Sequence, residues 1–275
     1  MSCSFTATRP PAHAGLFAAF VVAATLPLGC GAALAADMAV KATKSSAPAY
    51  QWTGCYVGIN GGGGEGETNN FTNVGPGTHL VPADAGEVTN DGTGGANWSS
   101  FVGGGQVGCN LQSQTIVVGI EGDFDYFHVK PNFYNNTNTL PVAGVPFTIN
   151  QFLQTNYLAT IRPRFGVAAD RNFAYVTGGV AFTRASYTES YSDTGAPVGN
   201  GLATASKSLT GWTAGAGWEY AFTDNLTFRA EYLLAKFGTV SAASAITDAA
   251  GGSNPMAGSA NLMMQVIRGG ANLKF

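Results

Sequence analysis

The stretch Thr115-Ile-Val-Val-Gly-Ile-Glu-Gly-Asp-Phe-Asp-Tyr-Phe127 alternates between two kinds of side chain. One parity carries Ile116, Val118, Ile120 and Phe124, and the other carries Glu121, Asp123 and Asp125. Successive side chains of a β-strand point to opposite faces of the sheet. The stretch therefore predicts a strand with one apolar face and one acidic face.

Seven other stretches share this pattern, so that eight strands are predicted. They cover residues 53–62, 98–110, 115–127, 157–169, 173–187, 207–222, 226–237 and 264–275. Tight turns follow the second, fourth and sixth, at residues 112–114, 170–172 and 223–225. Long polar segments follow the first, third, fifth and seventh, at residues 65–96, 128–156, 188–206 and 238–263. This plan predicts an all-β fold, an eight-stranded antiparallel transmembrane β-barrel with short periplasmic turns and four long extracellular loops.

The composition agrees with strands that have one apolar face. The chain has 275 residues, of which 45% are hydrophobic and 11% are charged, whereas ordinary soluble domains carry about 25% charged residues. No stretch after residue 36 approaches the roughly 20 apolar residues that a membrane-spanning helix needs. The apolar residues are instead spread out by alternation.

The N-terminus predicts export. An apolar run from Ala14 to Leu28 precedes Ala33-Leu34-Ala35, a small-x-small cleavage site. A short membrane anchor is the alternative, but the run is too short for it. We therefore expect a cleaved signal peptide at 1–35, a flexible periplasmic leader at 36–50 and an outer-membrane β-barrel domain at 51–275. Both termini of the barrel would lie in the periplasm.

A soluble β-sandwich or lipocalin could show the same alternation. Three observations favour a membrane barrel of the Gram-negative cell envelope. The outer faces carry aromatic residues near the strand ends, as interfacial girdles do: Trp218, Tyr220, Phe222 and Phe275. The opposite faces carry full charges, which a soluble core would reject. The chain also begins with an export signal.

The inward parity predicts a charged lumen. Its members are Glu121, Asp123, Asp125, Arg162, Arg164, Glu219, Arg229, Glu231, Arg268 and Lys274. Eight strands enclose a lumen that side chains can fill, and buried charges must be paired. We expect a salt-bridge network that plugs the barrel. A path for ions, as in a narrow porin, is the alternative.

Two cysteines of the barrel domain fall on neighbouring predicted strands. Cys55 lies near the start of the first strand and Cys109 near the end of the second, so both fall at the same rim. The periplasm is oxidising, which permits a disulfide. Two unbonded small apolar residues are the alternative, and the sequence leaves both open.

The sequence shows no catalytic constellation, no metal-ligand cluster and no nucleotide-binding motif. After residue 36 the histidines are His79 and His128. No basic patch indicates nucleic acid. We therefore expect no enzyme activity, no cofactor and no nucleic-acid partner.

Several strand motifs resemble those of small alphaproteobacterial outer-membrane proteins of the RopB type. These motifs are Trp52-Thr-Gly-Cys-Tyr-Val-Gly-Ile-Asn60, Phe101-Val-Gly-Gly-Gly-Gln-Val-Gly108 and Gly119-Ile-Glu-Gly-Asp123. The resemblance implies an eight-stranded surface antigen with a role in envelope stability. It also implies that Leu273 and Phe275 form a signal for the barrel-assembly machinery. Cys55 and Cys109 depart from the family, which has aromatic residues there.

We therefore expect a structural surface protein anchored in outer-membrane lipid. A receptor that binds haemin or another ligand through its loops is the second hypothesis, since some relatives are described as binding haemin. Its candidate ligands would be His79, His128, Met256 and Met263. A narrow porin is the third hypothesis.

Overall fold

The computed structural model describes residues 50–127 and 132–275. The expected signal peptide, the leader up to residue 49 and His128 lie outside these ranges. The elements in chain order are β1 (Gly54–Val74), α1 (Pro82–Asp91), β2 (Gly94–Ser113), β3 (Ile116–Phe127), β4 (Asn132–Thr139), β5 (Pro146–Thr155), β6 (Tyr157–Ala169), β7 (Asn172–Asp193), β8 (Asn200–Ala221), β9 (Leu226–Thr247) and β10 (Ser253–Lys274).

Eight of the strands close into a ring. The neighbours around the ring are β7, β6, β3, β2, β1, β10, β9 and β8, and pairing of β8 with β7 completes it. All neighbours are antiparallel, and β1 joins β10 from Tyr56↔Lys274 to Val74↔Met256. The predicted eight-stranded antiparallel barrel is confirmed, and Gly54 at the start of β1 and Lys274 at the end of β10 both lie at the end of the tight turns.

The strands extend well beyond their predicted ends. β7, β8, β9 and β10 have 22 residues each, although about 9–11 residues suffice to cross a bilayer. The segment expected to form a loop between β7 and β8 is mostly strand, with only residues 194–199 outside it. Runs such as Ala203-Thr-Ala-Ser206 lack apolar alternation, but their backbone pairs fully with β7.

The remaining hairpin continues the wall. β6 pairs with the first half of β7, from Ala169↔Asn172 to Ala159↔Phe182. Beyond that point β5 takes its place and pairs from Thr155↔Ala185 to Phe147↔Asp193. The β4–β5 hairpin thus continues the wall beside the second half of β7, beyond the residues that pair with β6.

A band of exposed apolar side chains surrounds the half of the ring nearer the tight turns. On β3 it comprises Ile116, Val118, Ile120, Phe124 and Tyr126, all between 44% and 59% exposed. We call the part of the barrel beyond this band the extension. It comprises residues 64–100, 132–155, 183–211 and 237–264.

The interior of the extension contains an apolar core. Its buried side chains include Val88, Phe147, Tyr187, Tyr191, Ile246 and Met256. α1 contributes Ala85 and Val88 to this core. Pro82 occupies the first turn of α1, where its fixed φ suits a helix start. Within residues 50–127 and 132–275, no helix is long and apolar enough to cross a membrane.

Candidate functional site: a filled lumen and a histidine clasp

Inside the apolar band, Arg162 is the centre of a buried ion-pair network. Its guanidinium lies 2.9 Å from Glu121, 2.8 Å from Asp123 and 3.0 Å from Glu231. These three carboxylates come from β3 and β9, on opposite sides of the lumen. All four side chains are fully shielded from solvent. The network therefore spans the lumen from wall to wall.

Three more arginines complete the network. Arg268 contacts Asp125 and lies 2.7 Å from Glu231. Arg229 lies 2.6 Å from Glu121. Arg164 lies 2.6 Å from Glu219, and its guanidinium stacks 4.0 Å from the ring centroid of Tyr175. The structure thus brings together nine of the ten residues predicted to line the lumen.

Lys274 is the exception. Its ammonium donates a hydrogen bond to the carbonyl oxygen of Gln51 and lies 4.8 Å from the ring centroid of Tyr50. The prediction that Lys274 joins the lumenal network is wrong. As the last residue of β10, it lies at the rim, where its long side chain reaches the N-terminal segment rather than the lumen.

Tyr50 and Trp52 close the tight-turn end of the barrel. Trp52 is 2% exposed and packs against Phe173. Its indole donates a hydrogen bond to the carbonyl oxygen of Asp170, at 3.2 Å. Arg171 lies over the ring of Tyr50. Sequence reasoning missed this plug because Tyr50 was assigned to the leader, although an aromatic pair beside a strand start is a usable signal.

Cys55 and Cys109 occupy directly opposed positions on β1 and β2, and a disulfide joins them. Beside them, the backbone N–H of Phe275 donates to the carbonyl oxygen of Cys55, at 3.0 Å. Phe275 and Leu273 themselves are 76% and 57% exposed on the outer face.

A histidine clasp joins three connections at the loop end. His79 lies between β1 and α1, Asp193 ends β7, and Asp248 follows β9. The ring Nε2 of His79 lies 2.8 Å from Asp193, and its Nδ1 lies 2.7 Å from Asp248. The side chains of all three are at most 7% exposed. We use the term clasp for these three residues.

The surroundings favour a charged imidazolium. Burial opposes the charge on His79, but the hydrogen bonds that its ring donates to Asp193 and Asp248 outweigh it and raise the pKa of the histidine above its ordinary value. Burial likewise opposes the charge on Asp193, but backbone N–H groups of Gly199 and Gly195, together with His79, hold the pKa of that carboxyl below its ordinary value.

Asn254 supports the clasp from β10. Its side-chain oxygen accepts hydrogen bonds from the backbone N–H groups of His79 and Leu80, at 3.0 and 2.8 Å. Its amide nitrogen donates to the carbonyl oxygens of Gly75 and Leu80. Each polar atom of this fully buried side chain is therefore used to hold the segment that carries His79.

A cavity of about 490 Å³ lies beside the clasp. Asp84, Leu140, Val145 and Pro197 contribute to its lining together with the clasp residues. Asp84 is already engaged, because it accepts hydrogen bonds from the backbone N–H groups of Val142 and Ala143. Within the described ranges, no group of three or more His, Cys, Asp or Glu side chains is placed to hold a metal ion.

Of the candidate haem ligands, the side chains of His79 and Met256 are buried. Both ring nitrogens of His79 are occupied by carboxylates. Met256 is 1% exposed and belongs to the core of the extension, while Met263 is partly buried. His128 falls outside the described ranges. Coordination of haem iron by His79 would require the clasp to open.

The sequence analysis did not identify Glu189 as a buried acid. Glu189 lies inside the extension and accepts a hydrogen bond from Gln151, at 3.0 Å, and another from Thr72. No arginine or lysine of the described ranges forms a salt bridge with it. Burial raises the pKa of Glu189. Glu189 has the inward-facing parity of β7, which could have identified it as buried. The predicted strand ended at residue 187, so Glu189 was placed in a loop.

A closed ring of eight antiparallel strands, with an apolar outer band and a charged interior, defines a transmembrane β-barrel protein of the outer membrane. The family model described as outer membrane protein beta-barrel domain matches residues 23–275, and the chain belongs to that family.

Two relatives agree with this assignment. The 31 kDa outer-membrane immunogenic protein of Brucella melitensis biotype 1 is 29% identical over 225 residues, which cover 79% of this chain and 86% of the relative. The 25 kDa outer-membrane immunogenic protein of Brucella abortus biovar 1 is 30% identical over 223 residues, which cover 79% and 83%. These matches confirm the resemblance to small alphaproteobacterial outer-membrane barrels.

Similar solved structures are more distant. Ail of Yersinia pestis is 12% identical with a TM-score of 0.30, and the match covers 79% of this chain and 99% of Ail. The outer membrane protease OmpT from Escherichia coli is 8% identical with a TM-score of 0.32, and the match covers 84% and 99%.

Proposed function

We propose that the protein is a structural protein of the outer membrane, displays its extension at the cell surface, and contributes to envelope integrity and surface antigenicity. The observation that supports this proposal most directly is the extension. β7 continues from residue 183 to residue 193 beyond its last exposed apolar residue, Phe182, which adds 11 residues of polar-faced wall. At about 3.3 Å per residue, this wall is as long as the membrane-crossing part.

The filled interior supports a structural role over transport. Ion pairs occupy the lumen within the apolar band, and an apolar core occupies the extension. The names of the Brucella relatives describe immunogenic proteins of the outer membrane. We extend surface exposure and immunogenicity to this chain on that basis.

The orientation is part of the proposal. The tight turns and both termini would face the periplasm, and the extension would face outward, as the family plan of short periplasmic turns and longer outer loops implies. Outer-membrane lipid would contact the apolar band. The exposed terminal pair Leu273 and Phe275 would serve the barrel-assembly machinery during biogenesis.

Epitope insertion tests the display and the orientation together. An epitope inserted at residues 194–199 should bind antibody on intact cells, because that turn closes the extension. The matched control carries the same epitope at residues 223–225 and should bind antibody only after the outer membrane is permeabilised. The reverse pattern would show that the orientation is wrong.

A deletion strain tests the envelope role. Cells that lack the protein should become more sensitive to detergent with a chelator, and the intact gene should restore resistance. Antiserum against the purified protein should label intact parental cells and leave the deletion strain unlabelled. Unchanged sensitivity to detergent would contradict the proposed role in envelope integrity. Absence of labelling on intact parental cells would contradict the proposed surface antigenicity.

The second candidate is a surface receptor, which the loop-end cavity favours. Haemin titration followed at the Soret band tests the haem version of this hypothesis. Because both ring nitrogens of His79 are occupied, we expect no shift with the intact protein. A Soret shift that His79→Ala abolishes would instead support a haem receptor.

A further inference from the structure

The loop end of the extension exposes apolar side chains far from the apolar band. Val81, Val142 and Val198 are 45%, 64% and 49% exposed. Residues 183–193 of β7 separate this end from the band, which amounts to about 36 Å of strand at about 3.3 Å per residue. Membrane lipid around the band therefore does not cover these valines. We call the three valines the rim.

The rim borders the cavity of about 490 Å³ beside the clasp. Each valine is the chain neighbour of a residue that lines this cavity: Leu80, Ala143 and Pro197. Hydrogen bonds join the connections that carry the rim. The backbone N–H of Val142 donates to Asp84, at 2.7 Å, and the backbone N–H of Thr194 donates to the carbonyl oxygen of Pro146, at 3.0 Å. Exposed apolar side chains grouped around an opening mark a site of interaction.

The same end of the molecule carries acidic side chains without lysine or arginine. Its connections lie at residues 75–93, 139–147, 193–200 and 247–253, where the sequence contains no Lys or Arg. Their carboxyl groups belong to Asp84, Glu87, Asp91, Asp193 and Asp248. His79 is the one residue of these segments that can carry a positive side-chain charge. A surface with one sign of charge attracts ligands of the other sign.

Asp84 brings a buried carboxyl group without a counter-ion to the cavity wall. It lines the cavity together with Asp193 and Asp248, and one imidazole serves the latter two. Asp84 is 2% exposed and accepts hydrogen bonds from two backbone N–H groups. Within residues 50–127 and 132–275, no Lys, Arg or His forms an ion pair with it. The cavity therefore favours a cationic ligand over an anionic one, because buried charges are stabilised by pairing.

We propose that the cavity binds a lysine or arginine side chain of a protein partner, whose neighbouring apolar residues pack on the rim. The cavity volume lies within the range of roughly 300–1,000 Å³ that is usual for ligand pockets. The proposal rests on the outward-facing extension of the proposed function. That extension carries the cavity well beyond the lipid headgroups, where a large partner can reach it.

The rim favours a protein segment over a free amine. A small amine would fill the acidic cavity and leave the three valines exposed to water. A peptide with a large apolar residue on each side of its lysine would cover the valines in the same contact, and burial of apolar surface is favourable. The cation would thus select the cavity, and the apolar neighbours would add affinity.

Fluorescence polarisation with short labelled peptides tests both parts of the proposal. The probe is Gly-Leu-Lys-Leu-Gly, and the purified full chain is held in phosphatidylcholine nanodiscs, which leave both ends of the barrel accessible. We expect saturable binding. Acetylation of the lysine amine should weaken it by about tenfold or more, because a charge-assisted hydrogen bond is lost. Replacement of both leucines by serine should also weaken it by about tenfold.

Variants of the β9–β10 turn locate the binding. Ala250 lines the cavity, whereas its exposed neighbour Ala249 does not contribute to the lining. Ala250→Lys supplies a tethered competitor and should abolish peptide binding. Ala249→Lys adds the same charge outside the lining, and Ala250→Gln adds length without charge, so both should retain most of the binding. A shift in gel mobility on boiling confirms that each variant forms a closed barrel.

Variants of the rim test the apolar contact. Val142→Ser combined with Val198→Ser should weaken binding of Gly-Leu-Lys-Leu-Gly and leave binding of Gly-Ser-Lys-Ser-Gly unchanged. Both side chains are exposed, so the changes remove no buried contact from the core. Equal loss for the two peptides, or no loss for either, would contradict the role of the rim and overturn the proposal.

The remaining outcomes are equally decisive. Absence of saturable binding by the folded parent chain would overturn the proposal, as would equal binding of the acetylated peptide. Equal effects of Ala250→Lys and Ala249→Lys would place the binding outside the cavity and overturn it too. Full competition by lysine amide at the peptide's own concentration would assign the cavity to small amines instead of a protein. Because purified protein is used, each of these failures leaves the orientation and the envelope role to the epitope and deletion experiments.

Discussion

At the scale of single residues, the side chain of His79 links two distant parts of the chain. Its two ring nitrogens link Asp193 and Asp248, which lie 114 and 169 residues further along the chain. Separations of this size explain why the clasp was invisible in the sequence. Periodicity places a residue on a face, but it does not say which distant connections meet.

The clasp should make the loop end sensitive to pH. The pKa of His79 is raised, so its contribution is complete below about pH 6.5 and is lost as pH rises through the folded pKa. The pKa values of Asp193 and Asp248 are lowered, so their contribution is lost on strong acidification. The connections at residues 194–199 and 248–252 should therefore resist protease best in mildly acidic solution.

Hydrogen–deuterium exchange at the imidazole C2 position, read by mass spectrometry, measures the His79 pKa directly. We expect a value above the ordinary one of about 6.5, and Asp193→Asn or Asp248→Asn should lower it. His128 in the same digest serves as an internal comparison. A His79 pKa at or below the ordinary value in the parent chain would contradict the charged clasp.

Removal of Arg162 from the lumen should strongly destabilise the barrel. Arg162→Met would leave Glu121, Asp123 and Glu231 without their shared partner in a buried site. Loss of one partner from a buried ion pair costs about 3–5 kcal/mol. Urea unfolding in vesicles measures the loss. The exposed Arg184→Met serves as the control and should stay within about 0.5 kcal/mol; equal effects would contradict the network.

The lumenal charges were predictable because strand parity is rigid. Once Ile116 and Phe124 are assigned to the lipid face, Glu121 and Asp123 must face inward. Lys274 escaped this rule because it ends its strand, where a side chain can turn towards the rim. The specific ion pairs could not be derived, since they depend on the stagger between strands across the ring.

At the scale of elements, the extension was the least predictable part. Segments such as Ser241-Ala-Ala-Ser244 carry small residues without apolar alternation, so they read as loop. They form strand because the neighbouring strand continues beside them, and backbone hydrogen bonds need no particular side chain. α1 was also missed, although Pro82 followed by Ala, Asp and Glu is a usable helix-start signal.

α1 should hold the loop end through Val88. This side chain is fully buried in the core of the extension, and burying a valine contributes about 1.5–3 kcal/mol. Val88→Asp should release the helix and expose residues 75–93 to protease while the transmembrane ring stays closed. Fragment masses after limited proteolysis measure this effect.

Ala83→Asp is the matched control for that experiment, because Ala83 lies on the exposed face of the same helix. It introduces the same charge without entering the core. We expect its digestion pattern to equal that of the parent chain. Cleavage within α1 in both variants, or in neither, would show that Val88 does not anchor the helix.

At the scale of the whole molecule, the barrel contains three successive closures. Tyr50 and Trp52 cover the tight-turn end, the arginine and carboxylate network fills the band, and the core of the extension with α1 fills the rest. Each closure uses a different interaction: aromatic packing, ion pairing and apolar burial. Loss of one closure would therefore leave two others in place.

The barrel should therefore be silent in a planar bilayer. Four arginines and five carboxylates of the network are at most 6% exposed, so an ion would have to displace paired charges to pass, and breaking one such pair costs about 3–5 kcal/mol. We expect no single-channel steps from the purified, heat-modifiable protein under conditions in which a general porin conducts. Arg162→Met should remain silent too, because the aromatic plug and the extension core still close the lumen. Steady steps from the parent chain would mean that the closures open together, and the narrow-porin hypothesis would then replace the structural one.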